Sequence, residues 1–159
     1  MVTLGISTNT RLIGLAIINH QNSLIDYSIH LHKSSWSPSK AKMIVTSCLE
    51  PCVGQYCINQ VILSRPHEYH QTEAFKHLIT CIRKYFEAKK IPVYEKPAEA
   101  IHSLYPPEQK KTKKALMQAL TLQYPQLTLC YQKEVRNKNR YYIKVFEAVA
   151  MAALHTQEK

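Results

Sequence analysis

The stretch from Val2 to Ile18 leaves this chain few ways to fold. Two apolar runs of strand length flank the polar residues Thr8, Asn9, Thr10 and Arg11, which is the pattern of a tight β-hairpin. Two of the chain's three glycines, Gly5 and Gly14, sit inside these runs. A glycine within a strand marks a bulge or a close backbone approach, so both strands are expected to run beside something that leaves no room for a Cβ. The first strand is apolar on both faces, which places it in the middle of a sheet covered on both sides.

The rest of the chain supplies the partners. Residues 12–18 form the second strand, and after a polar turn at His20, Gln21, Asn22 and Ser23 a third strand spans 24–32. Ser37 or Ser39 can cap a helix whose apolar residues Ala41, Ile44, Val45, Cys48 and Leu49 recur at helical spacing, with Pro51 and Gly54 near its end. The apolar run 57–63 reads as a buried parallel strand, and a helix begun at His70 or Thr72 carries Phe75, Leu78, Ile79, Ile82, Tyr85 and Phe86 on one face. A fifth strand is expected at 91–94, and a strand-helix-strand sequence of this kind lays its two strands parallel. A short helix over 96–104, a basic helix over 110–122, a short strand or extended connection at 127–131 and a final small-residue helix over 142–154 complete the pattern. The predicted fold is α/β, one domain over 1–159, with a mixed five-stranded sheet and helices on both faces.

Composition narrows the function. The formal charge of +10 comes from 21 Lys and Arg against 11 acids, a balance that favours a polyanionic partner. Asp26 is the sole aspartate, which bears on Mg²⁺ nuclease chemistry because it needs clustered carboxylates. Five cysteines, an odd number, argue against a secreted disulfide framework. Cys48, Cys52 and Cys57 either bind a metal with His67 or His70, or are small buried residues around a helix end; the absence of a C-x-x-C repeat favours the second. Likewise His67, His70 and His77 near Glu68 and Glu73 read as a replacement metal site or as exposed histidines, with the second favoured. No apolar run reaches membrane-spanning length and no basic-then-apolar leader is evident, so a cytoplasmic location without membrane contact is expected.

The hairpin resembles that of the RNase H-like superfamily, in particular the RuvC-type resolvases and their YqgF-type relatives, whose pattern is G-I-D-x-G-[ST]-x-x-x-G-x-A. The resemblance extends to residues 93–101, to 113–117 and to the closing segment 146–155, similar to the family's D-A-x-A-x-A-x-x-H helix. It implies two divalent cations held by an acid on the first strand, one at the end of the fourth strand and one or two on the last helix. Here those positions carry Ser7, the neighbourhood of Ser64 with Glu68 beyond it, Glu147, and one turn earlier Lys144. The candidate catalytic positions are therefore Ser7, Glu68 and Glu147, with no metal ligand set and no cofactor, Mg²⁺ entering only if the chain is an active nuclease.

Three readings follow. The first is a catalytically degenerate domain that binds nucleic acid or a protein partner without cleavage, DNA being favoured over RNA. Its contacts would be Lys110, Lys111, Lys113, Lys114, Arg136, Lys138 and Arg140, with Tyr131, Tyr141 and Tyr142 available for stacking. The second is a divergent metal-dependent nuclease that recruits Glu68, Glu95 and Glu147. The third is a structural or dimerisation module, since a homodimer is in keeping with the resemblance.

Overall fold

The computed structural model describes residues 1–32, 37–104, 112–137 and 141–158. Within them, strands β1 (Val2–Thr8), β2 (Leu12–Asn19), β3 (Leu24–Leu31), β4 (Gln60–Arg65) and β5 (Val93–Pro97) form a five-stranded mixed sheet in the order β3-β2-β1-β4-β5. The first strand is central as expected, antiparallel to β2 and parallel to β4, but only its Leu4 and Ile6 face is apolar; the face toward α6 carries the buried Thr3, Gly5 and Ser7. Asn9 makes the turn between β1 and β2: its side chain accepts the N–H groups of Arg11 and Leu12 at 2.8 and 2.7 Å, and its own N–H donates to the Leu12 carbonyl at 2.9 Å.

One face of the sheet is covered by α1 (Pro38–Ile44), which passes through a π-turn at Val45–Leu49 into α2 (Glu50–Gln55), and by α3 (Glu73–Ala88). Leu4, Ile6, Ile13, Leu15, Val61 and Leu63 face these helices. The other face carries α4 (Lys113–Gln123), α5 (Thr128–Arg136) and α6 (Ile143–Gln157), packed on Ala16, Ile18 and Ile62. Ser37 and Thr72 cap α1 and α3 by accepting the N–H groups of Lys40 and Phe75. No helix among the described residues is long and apolar enough to cross a membrane.

Several boundaries depart from the periodicity. The first helix runs past Pro51 to Gln55; the Glu50 N–H bonds the Val45 carbonyl five residues back, and this widened turn accommodates a proline that cannot donate. The strand expected at 57–63 begins at Gln60, because Asn59 clamps the start of β1: it accepts the Val2 N–H through its side chain at 2.7 Å and returns its own N–H to the Val2 carbonyl at 2.9 Å. The strand expected at 91–94 begins at Val93 and runs to Pro97, since Lys90 takes the left-handed conformation (φ 59°) and Ile91 donates back to Phe86, which makes Ile91 part of the helix end. The short helix expected over 96–104 is a 3₁₀ segment, Ala98–Leu104. Thr112 caps α4, so that helix starts at Lys113, and positions 105–111 lie outside the described residues. The strand or extended connection expected at 127–131 is helical: Leu127, Cys130 and Glu134 are buried at three- and four-residue spacing while Leu129 is exposed.

The two strand glycines both face α6. A Cβ on Gly5 would lie 2.2 Å from the Ala148 carbonyl oxygen, and one on Gly14 would lie 2.3 Å from the Lys144 carbonyl. Gly54, in α2, has nothing within 4 Å of the same atom. In denaturant titrations Gly5→Ala and Gly14→Ala should each lose about 3 kcal/mol, the upper range for overpacking, because a backbone carbonyl must move. Gly54→Ala should instead gain about 0.5 to 1 kcal/mol from helix propensity. Equal effects at all three positions would contradict the close approach of α6.

Candidate functional site

The first turns of α6 are placed by two devices. Glu134, a buried carboxylate on α5, accepts the Tyr141 N–H with both oxygens at 2.9 and 3.2 Å and so ties the approach to the helix. The glycine at position 14 then lets the backbone at Lys144 and Val145 rest directly on β2. Glu147, one turn on from Lys144, is thereby held over the C-terminal end of β1.

There the Ser7 hydroxyl donates to Glu147 Oε2 at 3.3 Å, and Lys144 Nζ lies 3.4 Å from Glu147 Oε1. Both charged side chains are largely covered, with 20% of Lys144 and 14% of Glu147 exposed. Since β4 runs parallel to β1 with Ile6 opposite Leu63, Ser64 follows on the neighbouring strand beside Ser7, and it is buried. Ser7, the Ser64 end of β4, Lys144 and Glu147 are thus brought to one end of the sheet. Each oxygen of the carboxylate has a donor within the protein, and the local formal charge of the Lys144–Glu147 pair is zero.

Among the described residues, the remaining candidate acids are not bonded to this cluster. Glu68 lies on a 3₁₀ turn after β4, lining an open cleft of about 460 Å³ with Arg65, Pro66, His67, Gln71, Pro97 and Glu99. Among the described residues no hydrogen bond or ion pair joins it to Ser7 or Glu147. Glu95 points to the α3 side, where Arg83 holds its Oε1 at 3.2 Å, while Glu147 belongs to the helix on the opposite face. The sheet therefore separates two of the three acids that a recruited nuclease site would need.

Lys113, Lys114 and Arg136 are exposed at the start of α4 and the end of α5; Lys110, Lys111, Lys138 and Arg140 lie outside the described residues. Tyr141 and Tyr142 pack edge to face at 4.8 Å beside the start of α6, and Tyr131 accepts a bond from Gln118 at 3.1 Å. The cysteines divide: Cys48 is buried with its Sγ 3.5 Å from His32 Nε2, Cys52 is half-buried and Cys57 is exposed. Burial pushes the Cys48 thiol up, and burial together with Asp26 pushes Cys52 up to about 11, so neither is prepared as a thiolate ligand at neutral pH. His67 stacks on Tyr69 at 4.7 Å, and His77 lies 3.7 Å from Cys81. No group of three or more His, Cys, Asp or Glu side chains suited to a metal forms among the described residues.

No family model matches the sequence and no curated protein matches it. Solved structures do. Thermus thermophilus RuvC, solved in complex with a Holliday junction substrate, superposes with a TM-score of 0.72 at 15% identity, covering 98% of this chain and 92% of its own. The chain has the RNase H-like fold of the RuvC-type resolvases. The yeast mitochondrial Holliday junction resolvase Ydc2 superposes with a TM-score of 0.66 at 10% identity over 98% of this chain and 78% of its own. For the fowlpox virus resolvase, solved with Holliday junction DNA, the values are 0.57 and 14% over 99% and 98%. At these identities the likeness establishes the fold and leaves function to the residues of this chain.

Within that RuvC-type fold, two polar groups stand out that no motif or spacing in the sequence marks as functional. Gln60 sits on the α6 face, donates to the Thr3 hydroxyl at 2.8 Å and meets His155 Nε2 at 3.3 Å, with His155 stacked on Tyr94. A glutamine in an otherwise apolar strand is the available signal. Glu134 is concealed by the strand-like alternation of the residues just before it.

The Lys144–Glu147 pair is testable by a double-mutant cycle. Lys144→Met alone leaves a covered carboxylate without its cation and should cost about 1.5 to 3 kcal/mol of stability. Adding Glu147→Leu should recover most of that loss, as replacement of both partners by apolar groups does. Additive losses in the cycle would show that the two side chains do not act on one another.

Proposed function

We propose that this chain binds nucleic acid, branched or duplex DNA in preference to RNA, on the α4–α6 side of its sheet, and that it does so without cutting. The observation that carries the reading is the Lys144–Glu147–Ser7 cluster. A two-metal site works by bridging a scissile phosphate and generating hydroxide, and each dehydrated Mg²⁺ needs carboxylates around it. The residues present do not fit that pair of cations: a hydroxyl stands at one position, the nearby carboxylate is already matched by an ammonium, Glu95 is held by Arg83 on the opposite face, and Glu68 lines a cleft that includes none of Ser7, Lys144 and Glu147. Lys144 is neutralised by Glu147, so the positive potential that a phosphate backbone requires comes from the exposed Lys113, Lys114 and Arg136.

The helix ends support a polyanionic partner. The first turns of α4 and α6 contain no acids, and they carry Lys113, Lys114 and Lys144. Cations at a helix N-terminus oppose the dipole there, a cost that an approaching phosphate relieves. Arg136, exposed at the end of α5, adds to the same side. The active-nuclease alternative depends on Glu95 and Glu147 acting together across the sheet, and no observation favours it.

A gel-shift assay with a labelled four-way junction and the matching duplex tests this directly. Binding should persist in EDTA, should weaken with added salt, Mg²⁺ included, and should leave the strands intact. In the Lys113→Ala/Lys114→Ala/Arg136→Ala variant the logarithmic salt slope should drop by about 0.9 for each phosphate that is no longer neutralised. Mg²⁺-dependent strand scission abolished by Glu147→Gln would overturn the proposal, as would the absence of any binding at low salt.

A further inference from the structure

We propose that the cleft between α3 and the ends of β4 and β5, on the sheet face opposite Glu147, binds a nucleoside phosphate, free or as the end of an unpaired strand. The cleft has a volume of about 240 Å³, and besides the neutral polar Ser64, Gln71 and Thr80 its lining forms three chemical zones. Leu63, Phe75 and Ile79 make an apolar floor. Arg65, Lys76 and Arg83 make cationic walls, and Glu95 is the one carboxylate among the lining residues, which leaves two positive charges in excess.

The geometry at Glu95 decides what such a ligand must offer. Arg83 places both Nε and Nη2 at 3.2 Å from Oε1, whereas Oε2 has only the long 3.9 Å contact to Arg65 Nη1. A carboxylate a quarter exposed, with one oxygen so loosely engaged, is an acceptor for hydroxyl or amino donors. Arg65 is about half exposed, and Lys76 meets only the solvent-exposed Glu73, at 3.5 Å on its own helix. Both cations can turn toward an anion at little cost, since pairs of this kind contribute little.

A simple anion would satisfy the walls, be repelled by Glu95 and ignore the floor. A sugar or a neutral base would use the floor and Glu95 and leave the cations unused. A nucleoside phosphate uses all three: its base lies on Leu63, Phe75 and Ile79, its hydroxyl or amino groups donate to Glu95, and its phosphate reaches Arg65 and Lys76 as charge-assisted bonds. This site lies on the other side of the sheet from the α4–α6 surface and stands independently of it.

The test is a titration of the full chain carrying Lys113→Ala/Lys114→Ala/Arg136→Ala, so that the opposite surface contributes as little as possible. Adenosine monophosphate, adenosine and inorganic phosphate are compared by amide chemical-shift perturbation. The monophosphate should bind at least about tenfold tighter than either fragment, shift Ile79 and Thr80, and lose about tenfold on Arg65→Gln or Lys76→Gln, the scale of one charge-assisted bond. A short single strand with a 5′-phosphate, compared with its unphosphorylated form, identifies the source: a gain from the phosphate at the same residues assigns strand ends, and monophosphate binding alone assigns free nucleotide. Inorganic phosphate matching the monophosphate, or no shifts on α3 and β5 with any probe, would overturn the proposal.

Discussion

Everything on the Glu147 side of the sheet depends on how close α6 lies to β1 and β2. With Gly5 and Gly14 the helix backbone rests on the strands, and a Cβ at either position would meet its carbonyl groups at little more than 2 Å. A helix held off by ordinary side chains would carry Lys144 and Glu147 away from Ser7. The close approach thus links a backbone feature to the electrostatics of the strand ends. The small residues Ala148 and Ala152 of α6 meet Gly5 in the same packing and serve the same end.

That packing brings a single carboxylate to the end of β1 and matches it with one ammonium and one hydroxyl. The pair is covered, so its Coulomb energy is less screened than on the surface, and the arrangement resists the addition of further charge. A divalent ion arriving there would have to displace or face Lys144. A phosphate arriving there would meet Glu147 as well as Lys144, so the excess positive charge on this side of the sheet comes from Lys113, Lys114 and Arg136.

Much of this is legible in the sequence because it follows from local pattern. The glycines in two apolar runs announce a close approach and point to a central first strand, whereas Ser7 and Lys144 are singled out only by the family resemblance. Features that depend on register or on long-range contact are not legible. Glu95 and Glu147 look equivalent as acids, yet strand alternation sends the first toward Arg83 on α3, and only the sheet reveals this. Leu127, Leu129 and Tyr131 alternate as in a strand, but tertiary packing selects Leu127, Cys130 and Glu134 as the buried set and the segment becomes a helix. The bond from Ser7 to Glu147 spans most of the chain and has no local signal.

The proposed function turns on Lys144, whose ammonium pairs with Glu147 at the position where the family resemblance implies a second carboxylate. Manganese binding, measured by electron paramagnetic resonance on the unmodified chain and on a Ser7→Asp/Lys144→Asp variant, tests it most directly. The unmodified chain should show no specific Mn²⁺ site that depends on Glu147. The variant should gain one, lost again when Glu147→Gln is added, because three carboxylates then surround one position. Specific Mn²⁺ binding by the unmodified chain that disappears in Glu147→Gln would contradict it.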